Sequence, residues 1–257
     1  MDYSSQHIPY KRIDLHIHTT HSSCYDTNME PEAGLVVTPA DIVESAVAKG
    51  LDAIAITDHN TAEAIDAIRK EAASTRLVIF PGMEVTAKGG HTLAIFDPQT
   101  PSDRLRELLA AIGLTEKDRG EGYCQTNLWM DELAQRIAEF GGLAIAAHVD
   151  RSYRGFVASN EPLADKMRIH ACPFLSALEI TVAEDKALWN NGEMRHYPKK
   201  YACIQGSDAH APAEMGRRTT FLRVPELNLN NLRLAFSEYS VRIRFPEEVP
   251  CEGKMIP

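Results

Sequence analysis

Seven short apolar runs, at 13–19, 53–57, 77–80, 92–96, 143–147, 177–181 and 201–205, alternate along the chain with stretches that repeat apolar residues at helical spacing. A chain built this way is restricted to a sheet with helices laid against it, and the order favours parallel strands in an α/β sheet or barrel. Most of the runs are too short and too uniformly apolar for half-exposed strands, so cover on both faces is expected. One such unit accounts for all 257 residues, a length that α/β barrels commonly reach as a single domain.

The helical stretches carry their own boundary signals. Thr38, Pro39 and Asp41 predict a helix start, with the hydroxyl capping a free amide and proline in the first turn. Ile42, Val43, Ala46 and Val47 then form the expected core face, and Gly50 the stop. A second helix is predicted from Asn127 through Trp129, Leu133 and Ile137 to Gly141 and Gly142. The stretch 113–126 is polar, glycine-containing and without period, and reads as an ordinary surface connection.

Composition narrows the function classes. A formal net charge of −9 excludes a surface that attracts nucleic acid everywhere, though not a local basic site. Cys24, Cys124, Cys172, Cys203 and Cys251 are widely spaced with no CxxC pair, as expected of reduced thiols in a cytoplasmic protein rather than a disulfide framework or zinc ribbon. No apolar stretch approaches the roughly 18 residues of a membrane span, and no membrane partner is expected.

The chemistry gathers at the ends of the strand-like runs. In Asp14-Leu15-His16-Ile17-His18, residues two apart point the same way, so His16 and His18 can face one ion together. Thr57-Asp58-His59-Asn60 follows the run AIAI, Glu84 ends another run in GMEV, His91 precedes TLAIF, and His148 leaves LAIAA. In Gly206-Ser207-Asp208-Ala209-His210 the two-residue spacing recurs with Asp208 and His210. Each motif alone has an innocent explanation, such as a helix cap or a satisfied core histidine. Together they concentrate polar groups that burial would penalise unless ions satisfied them.

DLHIHT, ITDHN, GMEV, a following His, AAHVD and GSDAH, in that order over about residues 12–212, resemble the PHP (polymerase and histidinol phosphatase) family of metal-dependent phosphoesterases. The resemblance implies a distorted seven-stranded (β/α) barrel, with up to three divalent ions (Mn, Fe or Zn) at the carboxyl ends of its strands. It implies a single PHP domain over 1–257, with a C-terminal helix and tail from 213. It also implies that His16, His18, Glu84 and Asp208 bind one ion, that Glu84 bridges to a neighbour completed by His91 and His148, and that His59 and His210 hold another. The family's further ligand falls near Ser23 in this chain. Asp26 is the preferred substitute for its hard oxygen, His21 the alternative and Cys24 the least favoured.

Asp14, Asp58 and Asp150 are expected outside the ligand set, Asp58 either orienting a ligand imidazole or capping the helix near Thr61. His7, His170 and His196 are expected on the surface or in loops. Trp129, Trp189 and Tyr153 are candidates for stacking a base, with packing the expected role of Trp129. Arg151 with Arg154, and Arg217 with Arg218, suit phosphate, and His210, Arg151 and Arg217 are the residues expected to act on the substrate. Glu179 either faces the mouth or pairs with an arginine. The expected reaction is phosphate ester hydrolysis by a metal-activated water, on a small monoester or nucleotide. The alternatives are an exonuclease on single-stranded nucleic acid ends, with an ATPase or polymerase partner, and an accessory PHP domain. An amidohydrolase would call for a strand-end lysine, which the motifs lack.

Overall fold

The computed structural model describes residues 8–25, 37–152 and 154–249. Asp26, Tyr153, His7 and Cys251 lie outside the described residues.

The seven expected strands all form. They are β1 (Tyr10–Ile17), β2 (Ala53–Ile56), β3 (Val78–Lys88), β4 (Gly90–Ile95), β6 (Leu143–Ala146), β7 (Leu175–Glu179) and β8 (Ala202–Ile204). Three more join them: β5 (Gln125–Trp129), β9 (Thr220–Arg223) and β10 (Ile243–Arg244). The sheet runs β10-β9-β1-β2-β3-β4-β6-β7-β8, with β5 beside the outer part of β3. Past β8 the chain returns to β1, where His18 N donates to Ala209 O at 2.9 Å and Ala209 N to His16 O at 3.3 Å. Gln205 N also reaches Thr220 Oγ1 of β9 at 2.8 Å, so the sheet is nearly closed into a barrel.

The expectation of parallel strands fails at β4, which is antiparallel to both β3 and β6. The reason is local. Gly89 and Gly90 adopt φ of 103° and 155°, which lets the chain reverse directly, whereas a parallel neighbour needs a crossover of about a dozen residues or more.

Helix α1 (Pro39–Ala48) begins as its sequence predicts. Asp41 N donates to Thr38 Oγ1 at 3.3 Å and Thr38 N to Asp41 Oδ2 at 2.7 Å, a reciprocal cap. Ile42, Val43 and Ala46 are buried, but Val47 is 48% exposed and does not belong to the core face. The second expected helix starts later. Gln125–Trp129 is the strand β5, and α4 spans Met130–Glu139, because Trp129 is extended and its N–H is accepted by Glu132 at 2.7 Å. The region after residue 212, expected as helix and tail, also carries β9 and β10, between which lie α7 (Leu229–Ser237) and α8 (Tyr239–Arg242).

Both faces of the short strands are covered. Ile54 and Ile56 join an apolar cluster with Ile42 and Val43 of α1 and with Ile65 and Ile68 of α2 (Ile65–Ala72). Ala53 and Ala55 join another with Ile13, Leu15 and the α7 residues Leu229 and Leu232. Among the described residues no helix is long and apolar enough to cross a membrane.

Candidate metal centre

The strand ends bring the motif residues to one place. His16 is the last residue but one of β1 and His18 follows the strand, while Leu15 and Ile17 are buried in apolar surroundings. His59 follows β2, Glu84 lies in β3 and His91 in β4. His148 follows β6, and Asp208 with His210 follow β8. Asn60, His148 and Asp208 have φ of 50°, 30° and 49°, three of only four described non-glycine residues in the left-handed region. Such backbone is costly and persists where the surroundings enforce it, typically at functional sites.

Glu84, 1% exposed, sits at the centre. Its Oε2 is 3.4 Å from His16 Nε2, 3.3 Å from His18 Nε2 and 3.2 Å from His59 Nδ1. Its Oε1 is 2.7 Å from His91 Nδ1 and 2.9 Å from His148 Nε2. Asp208 Oδ1 closes the first side, 3.3 Å from both His16 and His18, whose Nε2 atoms are 3.2 Å apart. These separations match four donors held tetrahedrally about 2.0–2.1 Å from one ion, which lie about 3.3–3.4 Å from one another. In a second group, His59, Glu84 and His91, the donor atoms all lie within 4.8 Å of one another. His59 Nδ1, 3.2 Å from Glu84 Oε2, is buried without a hydrogen-bond partner, as suits a donor facing a cation. The donor set therefore fits divalent ions. The structure sets His59 beside Glu84 and His91, and His210 beside Cys24 and His18.

The electrostatics point the same way. Burial pushes the pKa of His16 and His18 down, but Glu179, Asp208 and Glu84 outweigh it at His16, raising it well above 6.5, and Asp208 and Glu84 at His18, raising it to about 9. Burial would raise Glu84 and Asp208, yet the surrounding imidazoles hold both below the usual carboxylate range. In the metal-free protein, protons on His16 and His18 stand in for cations. His59, buried and surrounded by imidazoles, is pushed down to about 3 and stays neutral.

A shell of polar groups orients the ligands. His16 Nδ1 meets Glu179 Oε2 at 2.8 Å, so Glu179 pairs with a histidine rather than an arginine. His18 Nδ1 meets Ser22 Oγ at 3.0 Å, and Ser22 donates to Asp58 Oδ1 at 2.7 Å. Asp58 thus orients a ligand imidazole only through Ser22, while also accepting from Thr19 N and Oγ1, each at 2.7 Å. Asp14 accepts from Ser207 N and Gly216 N, each at 2.9 Å, and Asp150 from the backbone of Thr181 and Val182. Both carboxylates serve loops outside the ligand set.

The arginines divide. Arg151 pairs with Asp208, and Arg154 Nη1 lies 3.1 Å from His91 Nε2 and 2.9 Å from Gly122 O. Arg217 instead grips the backbone carbonyls of Ser207 and Asp208, at 2.9 and 3.2 Å, with Arg218 beside it 3.4 Å from Ser207 O. His210 Nδ1 is engaged with Asp208 O at 2.9 Å, and its Nε2 is 3.1 Å from Cys24 Sγ. His21, exposed, makes its contact with Thr19.

Three expectations need correction. The stretch 113–126 is a wall of the site, not an ordinary surface connection. Gly120 N donates to His59 O at 2.8 Å, and a Cβ on Gly122 would lie 2.6 Å from His59 Nε2. His170 is 1% exposed, enclosed by Phe156, Trp189, Tyr197 and Tyr201, and burial pushes it down to about 4. Trp189, 1% exposed in that cluster, is core and not a base-stacking surface. Ser22 and Gly122 carried no motif at all, since their roles arise from residues distant in the chain.

Comparison with known proteins agrees with this geometry. An uncharacterized protein of Methanocaldococcus jannaschii is 28% identical over 137 residues, covering 53% of this chain and 67% of that one. Among solved structures, the lesion-specific endonuclease Q of Pyrococcus furiosus superposes with a TM-score of 0.67 at 20% identity, covering 92% of this chain and 57% of its own. A two-domain Bacteroides vulgatus protein containing a predicted PHP-like metal-dependent phosphoesterase gives 0.62 at 18% identity, covering 93% and 65%. The chain thus spans about three fifths of these two solved proteins and shares their fold. The sequence profile of the PHP domain matches residues 14–169, and with the strand-end His, Glu and Asp cluster in place, the chain belongs to the PHP domain family.

Proposed function

We propose that this protein hydrolyses a phosphate ester at a centre of two or three divalent ions, with a small phosphate monoester or a nucleotide as substrate. The observation that carries the proposal is Glu84, whose two carboxylate oxygens face separate sets of imidazoles, as a bridging ligand must. His16, His18, Glu84 and Asp208 would hold one ion, and Glu84, His91 and His148, with His59 beside them, another. The near-tetrahedral spacing of the first set favours zinc there over manganese or iron. Bound divalent ions would lower the pKa of a coordinated water and neutralise charge on the phosphoryl group.

The chain's own residues supply the rest. Glu179 fixes the tautomer of His16 so that Nε2 presents a lone pair. Arg151 and Arg154, at Asp208 and His91, bring guanidinium groups to bind phosphoryl oxygens. Arg217 positions the loop that carries Asp208. His210, its Nδ1 turned to a carbonyl and its pKa lowered by burial and His18, suits a ligand better than a proton donor, so the leaving oxygen takes its proton from solvent. The four described cysteines are unpaired, which suits a cytoplasmic reaction.

A second reading, a nuclease, is favoured by four arginines around this centre and by the likeness in fold to a lesion-specific endonuclease. The net charge of −9 weighs toward the small substrate. The test is metal analysis of protein purified without chelator, with a screen of monoesters, nucleotides and oligonucleotides at rising salt. Salt-sensitive cleavage of oligonucleotides would select the nuclease. If the pair His16→Ala and Asp208→Ala left metal content and hydrolysis intact, the proposal would be wrong.

A further inference from the structure

At the rim of the centre stand two donors that the ion sets above do not use, Cys24 and His210, close to His18 of the first set. Cys24 Sγ, His210 Nε2 and a donor of His18 lie within 4.8 Å of one another. Cys24 is exposed, yet its backbone is tied down on both sides. Ser22 Oγ contacts His18 Nδ1 at 3.0 Å and accepts from His59 N at 3.1 Å, Ser23 N donates to Gly120 O at 2.8 Å, and Tyr25 N donates to Ser22 O at 3.0 Å. Because His210 Nδ1 is occupied by the Asp208 carbonyl, the ring turns its other nitrogen to the sulfur, 3.1 Å away. A sulfur about 2.3 Å and a nitrogen about 2.0–2.1 Å from one ion lie about 3.1 Å apart at a right angle and about 3.5 Å apart at the tetrahedral angle. The observed spacing falls at the near end of that range.

We propose that Cys24 is a thiolate ligand, holding with His210 a further divalent ion at the rim whose remaining positions are open to water or a substrate oxygen. The inference rests on the metal-centre reading above. It reverses the sequence ranking, in which Cys24 came after Asp26 and His21, because the structure turns sulfur toward His210 and engages His21 with Thr19 instead. On binding, the thiol loses its proton to solvent and the sulfur donates its lone pair to the ion. A soft donor at this position selects zinc or cobalt over manganese.

The test uses the full chain loaded with cobalt(II), comparing wild type with Cys24→Ser, Cys124→Ser and Asp26→Asn. Wild type and Cys124→Ser should show a thiolate-to-cobalt charge-transfer band in the near ultraviolet. Cys24→Ser should lack it and retain less metal after desalting. Should Cys24→Ser fail to fold, alkylation of Cys24 in wild type, mapped by mass spectrometry, should slow about tenfold or more with zinc, since a coordinated thiolate is a poor nucleophile. The proposal is overturned by ion binding without the sulfur band, by a band that survives Cys24→Ser, by metal loss in Asp26→Asn but not Cys24→Ser, or by an alkylation rate that zinc leaves unchanged. A wild type that binds no divalent ion at all would instead sink the metal-centre reading itself.

Discussion

Glu179→Gln isolates how much of the metal affinity comes from a residue that touches no ion. Glu179 is 1% exposed, and its Oε2 meets His16 Nδ1 at 2.8 Å. Glutamine keeps the shape and one acceptor oxygen but removes the charge that makes the imidazole a stronger base. Losing an outer carboxylate of this kind typically weakens metal binding about 10- to 100-fold, or about 1.4–2.7 kcal/mol. Two effects oppose each other. Burial lowers the pKa of His16, and Glu179 is the largest influence raising it, so the variant also lets His16 shed its proton more readily and reduces competition from protons. That relief is greatest near pH 6.5 and fades as rising pH strips the proton from His16 in the wild type as well. A chelator-competition titration with zinc should therefore find a larger loss near pH 9 than near pH 6.5. Equal affinities for variant and wild type at both pH values, with unchanged circular dichroism, would refute the idea that Glu179 acts through His16.

The same titrations set the pH dependence of the metal-free protein. His16 and His18 have folded values raised above 6.5, so their stabilisation is complete below 6.5 and is lost as pH rises through the folded values, about 9 for His18, whereas Glu84 and Asp208, with depressed values, stabilise above their ordinary 4.5 and 3.8 and lose this in acid. The melting temperature of metal-free protein should accordingly fall between pH 6.5 and 9, while that of zinc-loaded protein should not; a flat metal-free profile would contradict the assignment. Gly122→Ala would place a methyl group 2.6 Å from His59 Nε2, and His59 is held against Glu84, so a cost of about 1–3 kcal/mol is expected from overpacking. Thermal unfolding and metal counting should show lower stability with weakened binding on the His59 side, and a variant indistinguishable from wild type would show that the 113–126 wall yields freely.

Much of this centre was legible in the sequence because it depends on short-range geometry. Strand periodicity alone turns His16 and His18 to one side, and uniformly apolar runs alone require strands covered on both faces. The eight motif residues were readable because each lies in or just beyond a strand. What periodicity could not convey was strand direction and register. The reversal at Gly89 and Gly90 makes β4 antiparallel, and Val47, near the end of α1, is left largely exposed. Partners remote in the chain were equally hidden. Glu179 is 163 residues from His16, Gly122 is 63 from His59, and Cys24 is 186 from His210. No local pattern encodes such a meeting, since closing those loops is decided by the packing of the whole barrel. The chain order of His, Glu and Asp therefore marked these strand ends as a place for metal ions, while the tertiary structure alone decided which groups orient the imidazoles and which sulfur stands at the rim.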